Sequence, residues 1–221
     1  PSNIGQFLTV IIVLVIINAV NFVDGLDGLA TGIVAISAAS FFGFAYLLAI
    51  ENGFSRAGAP SLVTALVIGV CIGFLPHNLY PARIFMGDSG SMFLGLLLAA
   101  SAITLMGQID ANAVFAENIG PAALPLLLPF AVLAVPLLDF ALAVVRRIRQ
   151  GKSPFAPDNE HLHHKLMKLG NSQLRTTVIL YFATAMLAVP AMLSAFLPVW
   201  LAFISGPILF FAAFLITVRK A

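Results

Sequence analysis

Two aspartates three residues apart, Asp24 and Asp27, stand in the stretch NAVNFVDGLDGLATG (18–32), each followed by a glycine, Gly25 and Gly28. A third, Asp88, opens the run Asp88-Ser89-Gly90-Ser91 directly behind Gly87. All three sit at seams of apolar sequence, and residues 6–23 and 28–50 carry no formal charge. A helix start offers unpaired N–H groups and roughly half a positive charge, which suits phosphate. Glycine permits tight turns and close approach of the backbone to a ligand. Carboxylates beside a phosphate are the usual ligands of Mg²⁺, which takes one or two acids and fills its other positions with substrate oxygens and water. A capping aspartate alone contributes about 1 kcal/mol. Three acids at two glycine-flanked helix starts exceed what capping requires.

The elements that must position these groups are membrane helices. The chain is 61% hydrophobic and 9% charged, with mean hydropathy +1.05, which places it in the membrane class. A span needs about 20 mainly apolar residues. The sequence predicts seven, at about 6–23, 29–50, 60–76, 91–107, 121–145, 176–197 and 198–218. The expected fold is an all-α, polytopic membrane helix bundle forming a single integral membrane domain over 1–221. Cys71, the only cysteine, lies inside a span and excludes an intrachain disulfide.

Seven alternating spans put Arg83, Arg146, Arg147, Arg149, Lys152, Lys165, Lys168, Arg175, Arg219 and Lys220 on one side, leaving Arg56 on the other. By the positive-inside rule the N-terminus is then outside and the C-terminus cytoplasmic. The pI of about 9.0 reflects this asymmetry; no basic patch interleaved with aromatics points to nucleic acid. The same threading sends Asp24 and Asp27, the segment PHNLYPARIFMGDSGSMFLG (76–95) and the polar stretch 146–175 to the cytoplasmic face. An enzyme with one water-soluble and one lipid-borne substrate needs that arrangement.

The polar stretch contains DNEHLHHKLMKLG (158–170). Asp158 or Asn159 serves as an N-cap and Gly170 as a C′ stop. With Leu162, Leu166 and Leu169 on one side and His161, His164, Lys165 and Lys168 on the other, a short cytoplasmic amphipathic helix near 160–169 is expected on the membrane surface. Zinc is disfavoured because nothing completes a four-ligand site. Asn18 and Asn21 share the helix face that leads into Asp24. Asp139, in the fifth span, is either functional or paired with Arg146 one i, i+7 step away. Pro121, Pro125, Pro129 and Pro136 predict a kinked or broken fifth span, and an opening there would admit a lipid tail.

NAVNFVDGLDGLATG, NLYPARIFMGDSGSMFLG and SPFAPDNEHLHHKL closely resemble the polyprenyl-phosphate N-acetylhexosamine-1-phosphate transferases, in order over about 16–170. These bacterial cytoplasmic-membrane enzymes move a sugar 1-phosphate from a UDP-sugar to a polyprenyl phosphate and release UMP. His161-Leu162-His163-His164 is similar to the branch that uses UDP-GlcNAc and initiates wall and surface polymers. The phospho-MurNAc-pentapeptide branch carries three consecutive histidines there. The resemblance implies catalytic roles for Asp24, Asp27, Asp88, His161 and His163. It implies Mg²⁺ (Mn²⁺ as alternative) on Asp88, with Asp24 and Asp27 contacting the nucleotide-sugar or shaping the metal site. Substrate contacts fall to Asn18, Asn21, Gly25, Asn78, Phe85, Ser89 and His164, with Phe85 stacking on uracil. A homodimer is compatible with such an enzyme.

The family's Asp-Asp motif has no counterpart in the chain, which has no adjacent Asp-Asp pair. Together with the start at Pro1, this predicts the C-terminal part of a longer enzyme, the alternative being a truncated non-catalytic relative. A transporter is disfavoured because its polar residues belong at mid-membrane on broken helices.

Overall fold

A computed structural model describes residues 3–52, 58–107, 128–153, 161–194, 196, 197, 201, 204 and 206. Every regular element among them is helical. They are α1 (Asn3–Val23), α2 (Leu29–Asn52), α3 (Gly58–Asn78), α4 (Gly87–Met106), α5 (Ala134–Arg149), α6 (Leu162–Lys168) and α7 (Gln173–Leu193). Five are long and apolar enough to cross a membrane: α1, α2 over Leu29–Leu47, α3, α4 and α7. The chain is therefore a multi-pass membrane protein with at least these five candidate spans, two fewer than the sequence suggests. The expected span 121–145 is described only from 128 onward, and most of 198–218 lies outside the described residues.

The central element is α2, whose Val34, Ala38, Phe41, Phe44 and Ala45 are buried. It packs on α3, α4 and α7, while α1 packs on α4 and α5. On α1 the buried residues Ile16, Ala19, Val20 and Val23 form one i, i+3, i+4, i+7 stripe. That stripe meets α4 at Gly95, where a Cβ would lie 2.9 Å from the Ile17 Cα. Small residues let membrane helices approach this closely.

The expected break in the fifth span is present. A helical stretch over 128–132 stops at Leu133 before α5 begins. Pro136 has no N–H to give the carbonyl four residues earlier. That carbonyl, on Val132, instead accepts the Ser37 hydroxyl of α2 at 3.2 Å. The freed backbone group is thus satisfied by a neighbouring helix, as an apolar medium demands. Ser40, Thr64, Ser101 and Thr184 bond carbonyls of their own helices for the same reason.

Candidate functional site

The turn 24–28 joins α1 to α2, and the loop 79–86 joins α3 to α4. Side chains tie the two together. Asn21 Nδ2 donates to Asp88 Oδ1 at 3.1 Å and lies 3.0 Å from Ser91 Oγ. Asp27 Oδ2 accepts the Ala82 N–H at 3.0 Å. The Thr31 hydroxyl donates to Asn78 Oδ1 at 2.7 Å, and Asn78 Nδ2 donates to the Ile84 carbonyl at 3.0 Å. Gly28 takes φ +75°, a left-handed conformation suited to glycine, and its carbonyl accepts the Tyr181 hydroxyl of α7. The two aspartate motifs therefore occupy one end of the bundle.

These contacts reduce simple capping to a minor reading. The Asp88 carboxylate crosses to α1, and the start of α4 has Met86 as N-cap with no side-chain cap bond. Asp27 likewise reaches another segment. Burial, and then the negative charge of Asp88, push the Asp24 carboxyl up to about 6. A half-buried carboxylate, Asp24, that feels the charge of an exposed one, Asp88, fits a divalent cation. Mg²⁺ would take Asp24 and Asp88 and complete its shell with phosphate oxygens and water. Among the described residues no group of three His, Cys, Asp or Glu closes a metal cage. An Mg²⁺ that borrows ligands from its substrate does not require one.

The histidine motif meets the same end from the other side. Asp139 of α5 is buried, and its Oδ2 lies 2.9 Å from His161 Nδ1. Its Oδ1 accepts the Leu162 N–H at 2.8 Å. His161 is the N-cap residue of α6 but makes no side-chain cap, so Asp139 supplies the cap from a different helix. The His161 ring meets Phe22 edge-on at 5.7 Å and lies parallel to His163 at 5.6 Å. The Arg147 guanidinium sits 5.1 Å from the centre of the Phe22 ring. His163 packs on the turn: a Cβ at Gly25 would lie 2.5 Å from its Cε1 and Nε2. Burial, and then His164, lower the His163 imidazole to about 4. At neutral pH it is an uncharged hydrogen-bonding group, and its buried Nε2 has no partner among the described residues.

Several expectations change here. α6 and the Gly170 stop (φ +91°) are present, whereas Asp158 and Asn159 lie outside the described residues. The amphipathic division holds for Lys165 and Lys168, which are exposed, and for Leu162 and Leu166, which are partly buried, but fails at the ends: His161 is 8% exposed and Leu169 80%. The helix is docked by its histidines, because buried imidazoles find a carboxylate and aromatic faces inside the bundle. Asp139 directs both oxygens to α6. Of the expected substrate contacts, Asn21, Gly25 and His164 join the cluster. Ser89 is exposed on the first turn of α4. Asn18 turns back to the Leu14 carbonyl at 2.7 Å, and Asn78 is buried in holding the loop. Phe85 is 73% exposed, so its ring face is open and packing within the described chain does not explain it. Sequence reasoning offered only the nearby Arg146 as a partner for Asp139, and could not find His161, 22 residues away. Its one legible signal was an acid within an apolar run.

The aspartate motifs lie in a region shared with known proteins. Residues 2–106, which carry both aspartate motifs, match the model of glycosyl transferase family 4. The decaprenyl-phosphate N-acetylglucosaminephosphotransferase of Mycobacterium tuberculosis is 47% identical over 137 residues, 62% of this chain and 34% of that protein. The probable undecaprenyl-phosphate N-acetylglucosaminyl 1-phosphate transferase of Bacillus subtilis is 33% identical over 139 residues, 63% of the chain and 36% of that protein. An undecaprenyl-phosphate alpha-N-acetylglucosaminyl 1-phosphate transferase of Yersinia pestis is 32% identical over 121 residues, 53% of the chain and 30% of that protein. The chain spans about a third of the length of the curated relatives it matches. Residues 2–106 are thus similar to glycosyl transferase family 4.

Proposed function

We propose that the chain is part of an enzyme that transfers GlcNAc-1-phosphate from UDP-GlcNAc to a polyprenyl phosphate, releasing UMP. The observation that carries this reading is the joining of three motifs at one end of the bundle: Asn21 to Asp88, Asp27 to the 79–86 loop, and Gly25 to His163. The relatives' names support GlcNAc over a phospho-MurNAc-pentapeptide.

Phosphoryl transfer asks the protein mainly for positioning and charge stabilisation. Bound Mg²⁺ would supply Lewis acidity and neutralise charge on the diphosphate. Asp24 and Asp88 would hold that ion, and Asn21 orients the Asp88 carboxylate. Neutral His163 presents Nε2 beside the Asp24–Gly25 peptide, where a phosphate oxygen finds a hydrogen-bond donor. An apolar groove of about 230 Å³, lined by residues including Ile12, Ile16, Ala102, Phe130, Leu133 and Leu137, takes part of the polyprenyl tail. Ile16 precedes Asp24 by eight residues, about 12 Å along a helix, so the groove lies within a short reach of the acids.

The reaction is tested in the full-length protein by UMP release from UDP-GlcNAc with polyprenyl phosphate present. No lipid-dependent UMP release would overturn it. Within that assay Phe85→Ala should raise the KM for the UDP-sugar about tenfold to a hundredfold, from roughly 1–3 kcal/mol of stacking. Phe85→Trp should retain most affinity, and the lipid KM should not move. An unchanged UDP-sugar KM in folded Phe85→Ala would rule stacking out.

We place the site on the cytoplasmic face of a bacterial plasma membrane, on the distribution of basic residues. A cysteine at Ser153, in a Cys71→Ser background, should react with an impermeant reagent only when the cytoplasmic side is open. Labelling from the outside would reverse the orientation.

A further inference from the structure

We propose that Asp139 is a positioning residue for this transfer, holding the His161 ring with Nδ1 protonated and Nε2 aimed away from α5. The proposal rests on the reaction proposed above. Asp139 is 3% exposed, and it binds the His161 ring and the first N–H of α6 with separate oxygens, at 2.9 and 2.8 Å. Gripping ring and helix backbone together removes the freedom of one to turn without the other. An ionised carboxylate only accepts hydrogen bonds, so Nδ1 carries the proton. Nε2, on the far side of the imidazole, is left to act on a ligand.

The surroundings reinforce the clamp. Phe22 meets the His161 ring edge-on, His163 lies parallel to it and His164 is tilted at 6.4 Å, so the ring is surrounded by aromatic groups. Phe140, next to Asp139, packs on the same Phe22 at 5.4 Å between ring centres. The helix carrying the carboxylate is pinned upstream by Ser37 on the Val132 carbonyl. Burying a carboxylate is costly, and apolar residues of similar volume usually serve packing as well or better. A packing role alone would not need an acid here. The fixing of a histidine tautomer by a carboxylate on its other nitrogen is a recurrent device where imidazole does chemistry.

The test uses full-length protein in detergent, labelled with ¹⁵N-histidine, with His161→Gln identifying the His161 signals. Wild type should show His161 as the Nδ1–H form. In Asp139→Asn the amide can donate to Nδ1, so the ring should switch to Nε2–H. The kcat should fall about 10- to 100-fold, the scale seen when partners of working histidines are removed, with the KM for UDP-GlcNAc nearly unchanged. An Nε2–H ring in wild type overturns the proposal, even if the variant does not fold. So does a folded Asp139→Asn whose ring is unchanged, or whose ring switches at wild-type kcat. Should wild type show no transfer, the proposed reaction fails, and the ¹⁵N spectra alone then uphold or overturn the clamp.

Discussion

Asp88→Asn should remove nearly all transfer, a loss of about 100- to 1,000-fold in kcat, while leaving the protein folded and inserted. The size follows from the place of the charge: one preorganised electrostatic contact to a developing oxyanion is worth about 3–4 kcal/mol, and a cation anchor acts in the same way. Folding should survive because Asn is isosteric and keeps an oxygen for Asn21, which also has Ser91 within 3.0 Å. The substitution also removes the neighbouring charge that helps push the Asp24 carboxyl up to about 6, so repulsion inside the site falls as activity does. EDTA should stop the wild-type enzyme, and Mg²⁺ or Mn²⁺ should restore it. Undiminished turnover in chelator would sink the metal assignment. Near-normal turnover of Asp88→Asn would leave Asp88 with only its structural bond to α1.

Much of the site was legible because its parts are local. An Asp-Gly pair at an apolar seam is readable by spacing alone, and the structure puts such a turn between Val23 and Leu29. The break near Pro136 follows from its missing N–H. The family match over residues 2–106 agrees with the resemblance carried by these motifs. What sequence could not give is the identity of partners far apart in the chain. Asn21 and Asp88 are 67 residues apart, and Tyr181 is 153 residues from the Gly28 carbonyl it meets.

The histidine helix shows why periodicity misled. Seven residues are too few to fix a face by pattern: Lys165 and Lys168 are exposed as the pattern expects, but His161 and Leu169, flanking the helix, are not where it puts them. A tertiary contact decided instead. Asp139 receives the helix start and His161 together, and that turns the imidazoles inward and leaves Leu169 outside. An amphipathic reading weighs hydrophobic surface; here a buried carboxylate and aromatic contacts outweighed it.

Gly25→Ala should cut kcat about a hundredfold and cost about 1–3 kcal/mol of stability, because the added methyl overpacks against His163. The added Cβ would lie 2.5 Å from two ring atoms, Cε1 and Nε2, so the imidazole must move by about 1 Å to reach ordinary contact. It has little room: His163 is 2% exposed, with His164 at 4.2 Å and His161 at 5.6 Å between ring centres. Misplacement of about 1 Å at a reacting group can cost on the order of a hundredfold. The backbone itself should tolerate alanine, since Gly25 is not among the glycines with positive φ. Gly58→Ala is the control, because nothing among the described residues lies within 4 Å of its Cβ position. A double-mutant cycle identifies the route. In a His163→Ala background the clash is gone, so Gly25→Ala should add almost nothing to the loss already caused by removing the ring. Full additivity of the two substitutions would show that Gly25 acts on substrate directly, through its own backbone, and not by making room for the histidine.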